Sequence, residues 1–162
     1  MTGMLRTEIN EALKGAMRAQ ERRRMATLRL INAAIKDRDI AARTAGKDGG
    51  VSDDEIRQIL QKMIKQREES AKIYEEAGRL ELVQQESEEA EIIRSFLPRQ
   101  LSEEEMRAAC AEVVKQIAAC SVRDMGKCMA VLKERFPGQM DFGRASGVVK
   151  DMLCAKTPAQ AS

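Results

Sequence analysis

The 162-residue chain contains no histidine and no tryptophan, and aromatics make up only 2% of it: Tyr74, Phe96, Phe136 and Phe142. Without histidine the Cys–His and Ser–His routes to an activated nucleophile are closed, as are the usual zinc and c-type haem ligand patterns. Cys110, Cys120, Cys128 and Cys154 fall at irregular spacings with no CxxC, which reads as small core or surface residues. The shortage of aromatics also removes the stacking platforms on which sequence-tolerant proteins hold single strands. No stretch of about 18 consecutive apolar residues is present, so nothing is expected to span a membrane. The start MTGMLRTEIN lacks the charged-then-apolar profile of a secretory leader, and the expected location is the cytoplasm. GKDGG (46–50) has neither the spacing of a P-loop nor a preceding strand. No glycine-rich nucleophile turn accompanies Ser70, Ser121 or Ser146. No catalytic residue, metal or cofactor is therefore expected in this chain.

What is abundant is helix-forming. Hydrophobic residues are 43% and charged residues 33%, a globular balance, and Ala, Leu, Met, Glu, Gln, Lys and Arg lose little side-chain freedom in a helix. The fold is expected to be all α. Apolar residues recur in steps of three and four at Leu5, Ile9, Leu13 and Met17, then at Met25, Leu28, Ile31 and Ile35, with the join near Arg22, Arg23 and Arg24. TAGKDGG (44–50) reads as a loop, and Ser52 with Glu55 signals the start of a helix of about 25 residues that carries Ile56, Ile59, Leu60, Met63, Ile64, Ser70, Tyr74 and Ala77 on one face and stops at Gly78. A glutamate-rich helix is expected from about Leu80 to Ser95, its apolar side made by Leu82, Val83, Ala90, Ile93 and Leu97.

One of only three prolines, Pro98, then sits in FLPRQLSEEE (96–105). It ends the preceding helix, while Ser102 and Glu105 restart one at once. Beyond this joint come shorter elements of about ten to fifteen residues: one around Met106, Cys110, Val113 and Ile117, one around Met125, Met129 and Leu132 capped by Ser121, and one around Val148, Val149, Met152 and Leu153. Helices that short are unstable alone and should pack as a bundle. The expected organisation is an N-terminal helical subdomain (1–97), a three-helix C-terminal bundle (98–155) and a frayed tail (156–162).

Charge is unevenly placed. Between positions 14 and 29, six basic residues face only Glu21, whereas between 75 and 91 seven glutamates face only Arg79. Arg22, Arg29, Lys36 and Arg43 recur every seven residues, and so do Lys65, Lys72 and Arg79. On continuous helices these become rows able to hold several phosphates. The alternative is a solvated face stitched by pairs such as Lys65–Glu69 and Lys72–Glu76. With few aromatics, a folded RNA gripped by its backbone fits such rows better than a single strand, and no DNA partner is expected. A basic amphipathic helix lying on a membrane ranks lower, because Met25, Leu28, Ile31 and Ile35 are needed inside. Glu86, Glu88, Glu89 and Glu91 fan around their helix and do not converge on a cation.

LRLINAAIKDRDIA (28–41), KMIKQREESAKIYEEAGRLEL (62–82), SFLPRQLSEEE (95–105) and DMGKCM (124–129), in this order and spacing, resemble the GatB/YqeY family, in particular its stand-alone YqeY-like members, over roughly residues 5 to 154. Cys128 stands where Val or another apolar residue is expected, and DFGRAS (141–146) matches less firmly. The resemblance implies a helical N-terminal part and a small C-terminal bundle, the module found as the tail of the B subunit of the glutamyl/aspartyl-tRNA amidotransferase, where it helps bind tRNA. It also carries the family label of a carbon–nitrogen ligase with glutamine as amide donor, although neither an ATP- and metal-binding domain nor an amidase nucleophile is present here. By position in the family blocks it implies RNA contact at Arg99 and Lys127, with Gly126 either letting a backbone approach closely or serving helix packing. The expected partners are tRNA or another structured RNA; the alternative is docking on an amidotransferase, a synthetase or another enzyme without RNA.

Overall fold

A computed structural model describes residues 3–47 and 49–161, with side chains through Ala155. Among the described residues the protein is all α, without strands. Seven helices follow one another: α1 (Met4–Arg18), α2 (Arg22–Thr44), α3 (Asp53–Glu76), α4 (Leu80–Arg94), α5 (Glu103–Ile117), α6 (Met125–Arg135) and α7 (Phe142–Ala161). They form two compact units, one ending at Pro98 and the other beginning at Arg99.

In the first unit the helices span 15 to 24 residues, and side-chain and backbone caps close their ends. Ser52 accepts a hydrogen bond from the Glu55 amide at 3.2 Å to start α3. At the end of α2 the amides of Gly46 and Lys47 bond to the carbonyls of Arg43 and Ala42 at 3.0 and 2.9 Å, and Gly46 has φ 85. The six-to-one and five-to-two pair is a Schellman stop. The same pattern, from Gly78 and Arg79 to Glu75 and Tyr74, closes α3. The core of this unit is Leu5, Ile9, Leu28, Ile31, Ile35, Ile56, Leu60, Met63, Ile93 and Phe96, with Ala16 and Val51. Of the long face expected on α3, Ile56, Leu60 and Met63 are buried, Ile59, Ile64, Ser70 and Tyr74 half-buried and Ala77 exposed. Helix α4 stops at Arg94, and single-turn bonds from Phe96 to Ile93 and Leu97 to Arg94 carry the chain to Pro98.

The second unit opens on a reciprocal cap: the Glu105 amide donates to Ser102 Oγ at 3.1 Å, and the Glu105 carboxylate accepts from the Ser102 amide at 3.2 Å. A second such cap, Ser121 with Asp124, begins a 3₁₀ turn (Val122–Asp124) that leads into α6. Helices α5, α6 and α7 enclose Met106, Cys110, Val113, Val114, Cys128, Leu132, Met140, Val149 and Leu153. Each of the three helices contributes buried residues to this core, and a fully buried Leu or Val stabilises by about 1.5–3 kcal/mol. Cys110 and Cys128 are core residues, Cys120 and Cys154 are exposed, and none of the four is in a disulfide among the described residues. Helix α7 spans 20 residues, longer than the pattern predicted. Side chains of the tail expected at 156–162 lie outside the described residues.

Candidate nucleic-acid interface

The α2 row begins with the burial of its other side. Leu28, Ile31 and Ile35 are fully or almost fully buried, and Thr27, also buried, satisfies its hydroxyl on the Arg23 carbonyl at 2.8 Å. That fixes the helix's rotation. Arg22, Arg29, Lys36 and Arg43 lie on the solvent side, all exposed. Over α2, one continuous helix, a seven-residue step drifts only about 20°, so the four cations form a slowly winding line about 32 Å long. Exposed Ala26, Ala33 and Ile40 sit between them. The two alanines leave the helix surface low between Arg22, Arg29 and Lys36, whereas Ile40 stands up between Lys36 and Arg43.

None of the four makes an ion pair among the described residues; the cations that do are Arg6, Lys14, Arg23, Arg24, Arg57, Arg67, Arg94, Arg99, Arg107 and Arg144. The expected acidic region on α4 finds its partners elsewhere. Its carboxylates are taken by other arginines: Glu88 by Arg23, Glu89 by Arg67 at 3.3 Å, and Glu91, together with Glu68 of α3, by Arg94 at 2.6 Å. The Arg23 hydrogen bond holds Glu88 below the usual carboxylate range. Three of the α4 acids are thus engaged by arginines off the α2 row, and the row itself makes no ion pair among the described residues.

The second row is shorter. Lys65 and Lys72 are exposed on α3, opposite the side carrying Ile56 and Leu60, and neither the Lys65–Glu69 nor the Lys72–Glu76 pair forms. Arg79 lies beyond the Gly78 stop and leads into α4, off the row. The C-terminal candidates differ from one another. Arg99 grips Glu105 through both guanidinium ends, at 2.7 and 3.1 Å, and that bond is the largest cause of a Glu105 carboxyl lowered to about 2. Lys127 is exposed and unpaired among the described residues, and it adds to the backbone hydrogen bonds from Cys120 and Ser121 that lower Asp124. Gly126 is exposed in the first turn of α6, and a Cβ placed on it would meet nothing within 4 Å. No packed neighbour therefore requires a glycine there among the described residues.

One cluster was missed. Arg6 of α1 donates to both oxygens of Asp39 at 2.9 Å each, and the Val51 amide donates to Asp39 Oδ1 at 3.0 Å. Arg43 and Lys47 border the same hollow. The only sequence signal was the regularity that placed Arg43 last in its row; nothing local links residues 6 and 39.

An all-α protein whose bundled helices leave a line of unpaired cations is a class, and comparison narrows it. The model of the Yqey-like protein family matches residues 6–153, and the chain belongs to that family. It is also 28% identical over 156 residues to "Altered inheritance of mitochondria protein 41, mitochondrial" of Clavispora lusitaniae, covering 93% of this chain and 86% of that relative. No described helix is long and apolar enough to cross a membrane.

Proposed function

We propose that the chain is a non-catalytic module that holds structured RNA, tRNA foremost, by its phosphate backbone. The observation that carries this reading is that Arg22, Arg29, Lys36 and Arg43 stand exposed on one unbroken helix with no acid paired to them among the described residues. Several phosphates met at once give affinity without base readout, and a strong dependence on salt. Lys65 and Lys72 extend the basic surface on α3, and Lys127 beside open Gly126 offers a contact on the second unit. Arg99 contributes by holding the α5 cap, with its outer edge free for a phosphate. The ligase label borne by the tRNA amidotransferases that share this module belongs, in our reading, to their other domains and subunits, and we place the protein in the cytoplasm.

Filter binding to total tRNA at several salt concentrations tests the reading. Affinity should fall as salt rises, and replacing Arg22, Arg29, Lys36 and Arg43 together by Gln should reduce the log–log slope by about three to four, near one per lost phosphate contact. Binding that is absent at low salt, or indifferent to salt, removes the proposal. A second reading, docking on a protein, is favoured by Ile73 and Leu80 at the α3–α4 turn, which are 64% and 71% exposed. Nuclease-treated lysate would then still yield a partner.

A further inference from the structure

The hollow where α1, the end of α2 and the loop before α3 meet has a volume of about 370 Å³ and is bordered by Gly3, Arg6, Asp39, Arg43, Lys47, Gly49, Gly50 and Val51. It is a small, positively charged concavity. Three cations face one carboxylate, which leaves two positive charges over among the described residues. Asp39 cannot spare much for a ligand: Arg6 and the Val51 amide occupy both of its oxygens, and the Arg6 hydrogen bond, with Arg43 adding its charge, holds its carboxyl below the usual range. Asp39 acts as the strut that fixes Arg6. A guanidinium has five N–H donors, and Arg6 spends one from each of Nη1 and Nη2 on Asp39.

Two further features suit an anion. Carbonyls at the end of α2 would repel one, but the Schellman stop has already paired those of Ala42 and Arg43 with the amides of Lys47 and Gly46. The backbone of Gly50, at φ 70, comes so close to the Arg6–Asp39 pair that an added Cβ would lie 3.4 Å from Asp39 Oδ1. Any residue with a side chain would be strained there and would narrow the hollow.

We propose that this hollow is a binding site for a phosphomonoester dianion, held by Arg43 and Lys47 from the rim and by Arg6 from the wall. A phosphomonoester has three terminal oxygens and close to two charges at neutral pH, matching three donors around a concavity, whereas an internal phosphodiester presents two oxygens and continues in both directions. The site shares Arg43 with the α2 row but does not rest on the RNA reading, because the same chemistry has two sources: the 5′ end of an RNA or a small phosphorylated molecule.

Titration calorimetry on the full chain tests it, with inorganic phosphate, adenosine monophosphate, and one short oligoribonucleotide carrying either a 5′-phosphate or a 5′-hydroxyl. The phosphate-bearing probes should bind, weakening several-fold as pH falls below about 6, where the dianion takes up a proton. Lys47→Gln should weaken binding about tenfold with an unchanged thermal midpoint, and Arg43→Gln similarly. Arg29→Gln with Lys36→Gln, on the row but away from the hollow, should leave phosphate binding intact, which separates this site from the α2 row. A marked preference for the 5′-phosphorylated oligonucleotide over adenosine monophosphate assigns the RNA end; equal binding of the two assigns a small ligand. Failure of every phosphate probe, or binding unaltered by Lys47→Gln, overturns the proposal.

Discussion

The solvent face of α2 and the seam between α3 and α4 contain the same kinds of residue and use them in opposite ways. On α2, Arg22, Arg29, Lys36 and Arg43 point away from their core and make no ion pair among the described residues, Arg43 alone lying near enough to Asp39 to act on its carboxyl. Along the seam every arginine is committed: Arg67 to Glu89, Arg94 to Glu68 and Glu91, and Arg23 reaches over from α2 to Glu88. Basic composition alone therefore does not mark an interface. What marks one is the set of cations that remain when the acids within reach have been assigned.

The seam should break first. Arg67 and Glu89 are 14% and 13% exposed, and Arg67 also donates to the Met63 carbonyl at 3.2 Å. Arg67 Nε lies near Glu89 but is poorly aligned for a hydrogen bond, so the pairing is chiefly Coulombic. Burial and the neighbouring Glu89 raise Glu86 above the usual carboxylate range, and Arg67 counters this. Arg67→Ala would leave two acids facing each other in a partly dry seam, at a cost of about 3 kcal/mol. Urea denaturation at neutral pH measures it. The loss should shrink as pH falls through the raised Glu86 pKa, because a protonated Glu86 no longer repels Glu89; a loss independent of pH would mean that packing, not charge, holds α4.

A gain of about 1 kcal/mol is expected from Gln20→Gly. Gln20 has φ 57, in the left-handed region that disfavours residues with a Cβ, and its amide with that of Glu21 forms the stop of α1 on Met17 and Ala16. The thermal midpoint should rise by several degrees. A fall would show that the Gln20 side chain does something else.

That residue also explains what could be read from the sequence. Four helices end in the same hydrogen-bond pattern. Two place Gly46 and Gly78 at the left-handed position, and those stops were legible. The other two use Gln20 and Ala118 (φ 56), residues with no such signature, so the α1–α2 join could only be placed near the arginines and not at residues 19–21. Cap serines Ser52, Ser102 and Ser121 were legible because one side chain answers one amide three or fewer residues away. The α2 row was legible for a similar reason, since a seven-residue step is a local property of a helix. Pairings across helices were not: Arg6 with Asp39, Arg23 with Glu88 and Arg67 with Glu89 are decided by packing, and they determine which charges stay available.

Smaller still is the effect of acid on the α5 cap. The Arg99 and Ser102 hydrogen bonds lower Glu105 to about 2, so its contribution is complete above the ordinary carboxylate range near 4.3 and is lost as pH falls from there through about 2. Carbon-13 titration of the Glu105 carboxyl should show that low midpoint, and Arg99→Ala should raise it. An ordinary midpoint in the unaltered protein would free Arg99 from its cap and move it to the same standing as the α2 cations.

The smallest expected change decides the comparison. Arg29→Gln with Lys36→Gln removes two cations that touch no acid, keeps long helix-forming side chains, and leaves Leu28, Ile31 and Ile35 where they are. Stability in urea should stay within about 0.5 kcal/mol of the unaltered protein. A loss comparable to that of Arg67→Ala would mean that the row is structural after all, and α2 would then be a second seam rather than a surface kept for phosphates.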